Sequence, residues 1–292
     1  MRKSMMAALV VSATASLAAG HAQSAAIGVG DFGDTSAESA AADSTGPGVV
    51  NGAVGIGIGA GPDFEGSDSY KGSITPFGRL HYKDFPQYLE FGPNPGSRTY
   101  QMRVNVLPWQ GIEVGPMLTY RAERDHVESQ AVRRLGKIDA AGEAGAFLRY
   151  WLPVDLPRQG IAAEFSGAAD FADAYNGWWI QPGISYKNAV TDDVMITGRV
   201  YADYASDNYM DTYFGVDASQ AARSGLRERS ADAGFKDVGL TLGARWQFTD
   251  HWFTGAVGTY ERLVNDAGSS PITREVGSKN QLFGGGYVGY RF

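Results

Sequence analysis

The amino-acid sequence predicts an all-β fold, a transmembrane antiparallel β-barrel of about twelve strands (range roughly 10 to 14), and three observations carry it. From Gly52 onward, apolar and polar residues alternate with period two over runs of about ten residues or more. Such runs exceed the about five or six residues of a sandwich strand and can cross a bilayer at a tilt. The connections alternate between long, charged segments and mostly short ones, the asymmetry of outer-membrane barrels with long loops outside and tight turns in the periplasm. Aromatic residues gather toward both ends of the runs, as interfacial girdles do. Beyond the N-terminal segment, no stretch has the about 18 apolar residues of a membrane helix.

Taken in order, "MRKSMMAALVVSATASLAAGHA" places Arg2 and Lys3 before a short apolar core and ends in the small-x-small site Gly20-His21-Ala22. Residues 1–22 therefore read as a secretory signal peptide. Residues 23–51, typified by "DFGDTSAESAAADSTGPG", have hardly any large apolar side chain and read as a flexible periplasmic leader. The barrel spans 52–292. Its strands are expected near 53–61, 73–83, 86–91, 98–107, 111–121, 137–151, 160–171, 177–187, 193–206, 235–248, 251–263 and 281–292.

The alternation is plainest in four of them. Tyr100, Met102, Val104 and Val106 share one face, against Gln101, Arg103 and Asn105. Ile112, Val114, Leu118 and Tyr120 oppose Glu113, Thr119 and Arg121. Val194, Ile196, Val200 and Tyr204 oppose Thr197, Arg199 and Asp203, and Val238, Leu240, Leu242 and Trp246 oppose Asp237, Thr241, Arg245 and Gln247. "HWFTGAVGTYERL" fits least well, since neither phase is cleanly apolar.

With the leader in the periplasm, the outer connections are "PDFEGSDSYKG", "GPNPGS", "AERDHVESQAVRRLG", "ADAYN", "SDNYMDTYFGVDASQAARSGLRERSADAG" and "NDAGSSPITREVGSKN". The periplasmic ones are "KDF", "PWQ", "LPVDLPRQ", "KNAVTD" and "TD". This orientation puts Tyr82, Trp109, Tyr150, Trp151, Tyr186, Trp246, Phe248 and Trp252 in the periplasmic girdle. The outer girdle holds Tyr100, Tyr120, Phe171, Trp178, Tyr204, Tyr260 and Phe283. The chain closes on "GGGYVGYRF", as a barrel permits because the last strand pairs with the first. Leu282, Val288, Tyr290 and Phe292 share the lipid-facing parity, and Val288, Tyr290 and Phe292 resemble the C-terminal signal read by the barrel-assembly machinery.

Thirty-nine glycines and a charged fraction of 20% dilute the apolar residues rather than gathering them for a soluble core. With no cysteine, disulfides, thiolate metal sites and a cysteine nucleophile are excluded. Removing residues 1–22 takes away two bases and no acid, carrying the net charge from −7 to −9, which argues against a nucleic-acid partner.

Across residues 52–292 the sequence resembles the MipA/OmpV family of outer-membrane barrels. The resemblance rests on "VGIGIGAGPDFEGSD", "EVGPMLTYRAERD" followed by "EAGAFLRYWL", "TYFGVDASQAARSGL", and the ending "SSPITREV" with "GGGYVGYRF". It implies an outer-membrane location and, for some members, a scaffold between a lytic transglycosylase and a peptidoglycan synthase. Other members are associated with solute passage or surface adhesion, so a narrow gated pore and an adhesin remain alternatives.

No residue set points to an enzyme. His126, Ser129, Glu123 and Glu128 share one charged loop without a strand phase to hold them in register, which favours a solvated loop over a catalytic triad. His81 and His251 have no metal-ligand spacing, and the glycine clusters lack the following helix of a phosphate loop, so no metal or cofactor is expected. Arg124, Arg133, Arg134 and Lys137 offer a possible contact with lipopolysaccharide phosphates, with internal ion pairing to Glu123, Asp125 and Glu128 as the alternative. Asp63, Glu65, Asp68, Asp207 and Asp211 could share divalent cations with the same lipid. The inward phase carries Arg103, Glu113, Arg149, Glu164, Asp170, Arg199, Asp203 and Arg245, and mixed signs favour cross-lumen ion pairs over a wide channel.

Overall fold

The computed structural model describes residues 50–82, 87–94, 98–107, 111–153 and 158–292. The stretch read as a signal peptide, that read as a leader up to residue 49, Trp109 and the centre of "LPVDLPRQ" lie outside the described residues. Twelve antiparallel strands form one closed barrel in which each strand pairs with its neighbours in sequence. They are β1 (Val50–Pro62), β2 (Tyr70–Tyr82), β3 (Tyr88–Asn94), β4 (Thr99–Asn105), β5 (Ile112–Arg121) and β6 (Ala141–Trp151). The second half adds β7 (Gln159–Asp170), β8 (Trp178–Ala189), β9 (Val194–Ala205), β10 (Gly234–Gln247), β11 (Trp252–Leu263) and β12 (Asn280–Arg291).

The strand phase decides which side chains meet lipid. Ile58, Ile74, Ile184, Val200 and Leu242 all point outward and are more than half exposed, whereas polar residues of the opposite parity are buried inside. Closure runs from Ala53 opposite Arg291 to Ala60 opposite Gly284, and the backbones of Gly52 and Phe292 exchange two hydrogen bonds of 3.0 Å. Some inward positions tolerate only glycine. A Cβ on Gly145 would stand 1.8 Å from the Gly167 carbonyl oxygen, and one on Gly115 the same distance from that of Val104, so any side chain there would push adjacent strands apart.

The structure corrects two girdle positions. Phe283 is buried with the inward phase of β12, and Trp151 turns its indole N–H to Glu113. It also explains the poor alternation of β11: Phe253 and Val257 face inward and pack with Phe77, Tyr287 and Ala53 in an apolar cluster inside the barrel.

Five short helices occupy the outer connections, where the sequence suggested only loops. They are α1 (Gln130–Leu135), α2 (Asp207–Phe214), α3 (Ala218–Ser224), α4 (Asn265–Ser269) and α5 (Pro271–Val276). Three of them, α1, α3 and α5, begin or end on a local signal. Ser129 caps α1, Asp217 and Gln220 form a capping box on α3, Gly225 ends α3 at φ 81°, and Ser270 caps α5 ahead of Pro271. None reaches a length that is stable alone, so tertiary burial must hold them. Tyr209, Met210, Tyr213 and Phe214 of α2 pack on Met117, Trp179, Leu263 and Ala267 at the barrel mouth. Above them, Phe64, Val127, Val132, Leu135, Val216, Leu226 and Ile272 join the loops to one another. Each fully buried large apolar side chain is worth about 1.5–3 kcal/mol relative to exposure. The outer loops thus form a lid with its own apolar core.

Candidate functional site

Polar side chains below the lid link across the lumen from strand to strand. Toward the periplasmic end, Glu90 on β3 accepts forked hydrogen bonds from Arg79 on β2 and Arg103 on β4. The Arg79 guanidinium also lies 4.3 Å above the Tyr88 ring, and the Tyr88 hydroxyl donates to Glu113. Arg149 joins Glu113, at 3.2 Å, to Glu164, at 2.7 Å. Arg199 donates to Glu164 at 2.7 Å and to Gln181 at 2.7 Å, and Gln181 donates to Asp203 at 2.7 Å. The geometry follows from the register, since Glu113 lies opposite Arg149, which lies opposite Glu164 on consecutive strands.

Nearer the lid the balance shifts to carboxylates. Asp203, Asp237 and Glu261 are buried, each with a carboxylate oxygen within 4.8 Å of the others. The position a cation would take is served by the ammonium of Lys236, which bonds Asp237 and lies 3.4 Å from Asp203 and 3.6 Å from Glu65. Glu65 ties this cluster to the lid: it accepts from Arg121 at 3.0 Å and from the Tyr209 hydroxyl, which lies 2.9 Å from both of its oxygens. Arg121 also donates to Glu143 at 2.9 Å, and Glu143 accepts from Tyr175 and from the Trp179 indole. Burial alone would raise the Glu65 pKa, but Lys236 and Arg121 hold it below the usual carboxylate value.

Seven of the charged positions read from the inward phase therefore lie in the lumen. Arg103, Glu113, Arg149, Glu164, Arg199 and Asp203 join the network, and the Arg245 guanidinium lies 5.6 Å from the Phe253 ring. Asp170, at the outer end of β7, instead accepts backbone N–H bonds from Ala172, Tyr175 and Asn176 and shapes the following loop.

Two expectations for lipid contact are corrected. Arg124 is buried under the lid and donates to the Tyr213 carbonyl at 3.1 Å, so it cannot reach lipid phosphate. Asp63 and Glu65 are likewise buried, Asp63 against Lys71 at 2.7 Å and Glu65 as described, because the first outer loop folds into the mouth. Arg133 and Arg134 are exposed on α1, with Arg133 donating to the Val127 carbonyl, and Lys137 bridges Glu123 and Asp139. Ser129 is engaged as the α1 cap. On the outward face at the closing edge, Val288 and Phe292 are exposed, and the Tyr290 ring meets Trp252 at 5.0 Å.

Sequence reasoning missed Arg79, Glu90, Glu143, Lys236, Asp237 and Glu261 as members of the network. Glu143 and Arg149 share a parity on β6, which could have flagged the former. Lys236 was hidden by a β-bulge between Phe235 and Asp237 that breaks the phase.

The chain is similar in sequence to known proteins. The family model for MltA-interacting protein MipA matches residues 54–292. YiaT of Escherichia coli O157:H7, which carries the name of an outer membrane protein, is 29% identical over 165 residues, or 56% of this chain and 60% of the relative. YiaT of Escherichia coli strain K12 is 30% identical over 146 residues, covering 50% and 56%. The matched region thus spans less than two thirds of these relatives' length. Among solved structures, an outer membrane channel from Pseudomonas putida F1 aligns with a TM-score of 0.48 at 12% identity, covering 91% of this chain and 100% of that one. The translocator domain of the autotransporter NalP from Neisseria meningitidis gives 0.40 at 13% identity, covering 88% and 92%.

Proposed function

The chain belongs to the MltA-interacting protein MipA family and is an outer-membrane barrel, and from that premise we propose that it works as a closed, non-enzymatic scaffold. In this reading the periplasmic rim and the residues preceding β1 hold peptidoglycan-remodelling enzymes, a lytic transglycosylase of the MltA type and a peptidoglycan synthase, at the membrane. The observation that supports it is the filled lumen. Arg79, Glu90, Arg149, Gln181, Asp203, Lys236 and Glu261 are all buried between the strands, and the apolar core of the lid lies over them. A route for solutes would require breaking several buried ion pairs at about 3–5 kcal/mol each, a large demand for passive passage. A scaffold asks for none of this, because its working surface is the rim.

The test is retention of purified lytic transglycosylase and peptidoglycan synthase on the immobilised barrel, together with their co-purification from cross-linked cells. The scaffold reading expects both enzymes to be retained above the level seen with an unrelated barrel of similar size. Retention no greater than that control would remove the scaffold reading.

A further inference from the structure

Three buried groups beneath the lid carry polar atoms that no partner among the described residues matches. Arg98, at the head of β4, is only 8% exposed, and its Nε is fully shielded with no hydrogen-bond partner among the described residues. Arg124, 7% exposed, uses Nη1 on the Tyr213 carbonyl and leaves a shielded Nε unmatched. The Tyr213 hydroxyl is shielded and unmatched as well.

These groups share one neighbourhood. Arg98 immediately precedes Thr99, which pairs with Arg121 across β4 and β5, and the Arg121 guanidinium lies 5.7 Å from the Tyr213 ring. Arg124 follows Arg121 by three residues and holds the Tyr213 backbone. The nearby carboxylates are engaged elsewhere: Asp63 with Lys71 and the Glu128 N–H, Glu65 with Arg121, Tyr209 and Lys236, and Glu143 with Arg121, Tyr175 and Trp179. Burial accordingly lowers the pKa of both arginines. Arg98 is only partly compensated by Glu65 and Asp63, and Arg124 is pulled down to about 10. A buried guanidinium with unmet N–H groups is costly to the fold, and a bound anion would relieve that cost.

We propose that Arg98, Arg124 and Tyr213 form a pocket for a small free oxyanion of the phosphate class, on the extracellular side of the barrel under the lid. Two guanidinium forks and a hydroxyl donor suit the several oxygens of such an ion. The enclosure of all three side chains fits a free ion rather than the headgroup of a lipid. This inference is independent of the scaffold reading, since it concerns the opposite end of the barrel.

Titration calorimetry of the detergent-purified full chain with sodium phosphate, at ionic strength held constant with sodium chloride, tests it. The expected result is saturable binding of one ion. Arg98→Gln and Arg124→Gln should each weaken it at least about tenfold, the size of one lost charge-assisted hydrogen bond. Tyr213→Phe keeps the ring and should weaken it about threefold. Each variant is checked for the heat-dependent gel mobility of a folded barrel, and if an arginine variant lost it, Tyr213→Phe would decide the matter. No saturable heat from the parent, or affinity unchanged in the folded variants, overturns the proposal. Binding of lipopolysaccharide micelles without binding of phosphate also overturns it, in favour of the exposed Arg133 and Arg134.

Discussion

Replacing Glu65 by glutamine removes one charge at the point where the lid meets the lumen. The carboxylate accepts from Arg121 at 3.0 Å and from Tyr209 at 2.9 Å, with the Lys236 ammonium 3.6 Å away. Glutamine keeps the shape but presents an amide N–H₂ where at least one of these donors needs an acceptor. Breaking a buried ion pair costs about 3–5 kcal/mol. The lower end applies here, because Arg121 retains Glu143 and Lys236 retains Asp237. A loss of about 3 kcal/mol raises the population of lid-open molecules about 150-fold. Hydrogen exchange read by mass spectrometry on the amides of α2 reports this opening directly, with the strand amides of β8 and β9 as internal reference. The expected result is exchange of residues 207–214 faster by two orders of magnitude, with the strands unchanged. Acceleration of less than about threefold in α2 would refute Glu65 as the link between lid and lumen.

The pKa of Glu65 is held below its ordinary value of 4.5, so its contribution is fully present above that value and is lost as pH falls through the lower, folded-state value. Protection of α2, corrected for intrinsic exchange rates, should therefore be flat at neutral pH and decline below pH 4.5, and protection undiminished in stronger acid would contradict the assignment. Gly145→Ala forces a Cβ to 1.8 Å from the Gly167 carbonyl oxygen. The strain between β6 and β7 should cost about 3 kcal/mol or more, seen as a lowered melting temperature or as loss of heat-dependent gel mobility, whereas parental stability would show that the strands can part freely. Deleting Phe292 removes both backbone hydrogen bonds to Gly52 and a ring of the proposed assembly signal, while Phe292→Tyr preserves both. Membrane fractionation should show the deletion accumulating several-fold less than Phe292→Tyr, and equal levels would remove that role from the residue.

The barrel was legible because its chemistry is local. An outward Ile74 and an inward Thr75 are set by strand parity alone, and twelve strands follow from counting such runs. The lumen was legible in part for the same reason: Arg149 and Glu164 are inward by phase, though only the register shows that they touch. The lid was not legible. Gln130–Leu135 is too short to announce a helix by periodicity, and its Val132 and Leu135 are buried only in the company of Phe64 and Ile272 from loops distant in sequence. Glu65 and Arg124 looked like surface charges open to lipid and its cations because nothing near them in sequence reveals the fold that buries them. Lys236 escaped because a bulge shifts its phase, and Trp151 and Phe283 misled because an aromatic at a strand end serves the lumen as readily as the interface.

The central claim is that the lumen is filled and roofed, and single-molecule conductance across a planar bilayer tests it most directly. The purified barrel, inserted in known orientation at both polarities, should show no steady ion current, and neither Arg199→Glu nor Arg245→Glu should alter that baseline. A reproducible ion-selective current from the parent, changed in selectivity by either substitution, would contradict the closed barrel and replace the scaffold with a pore.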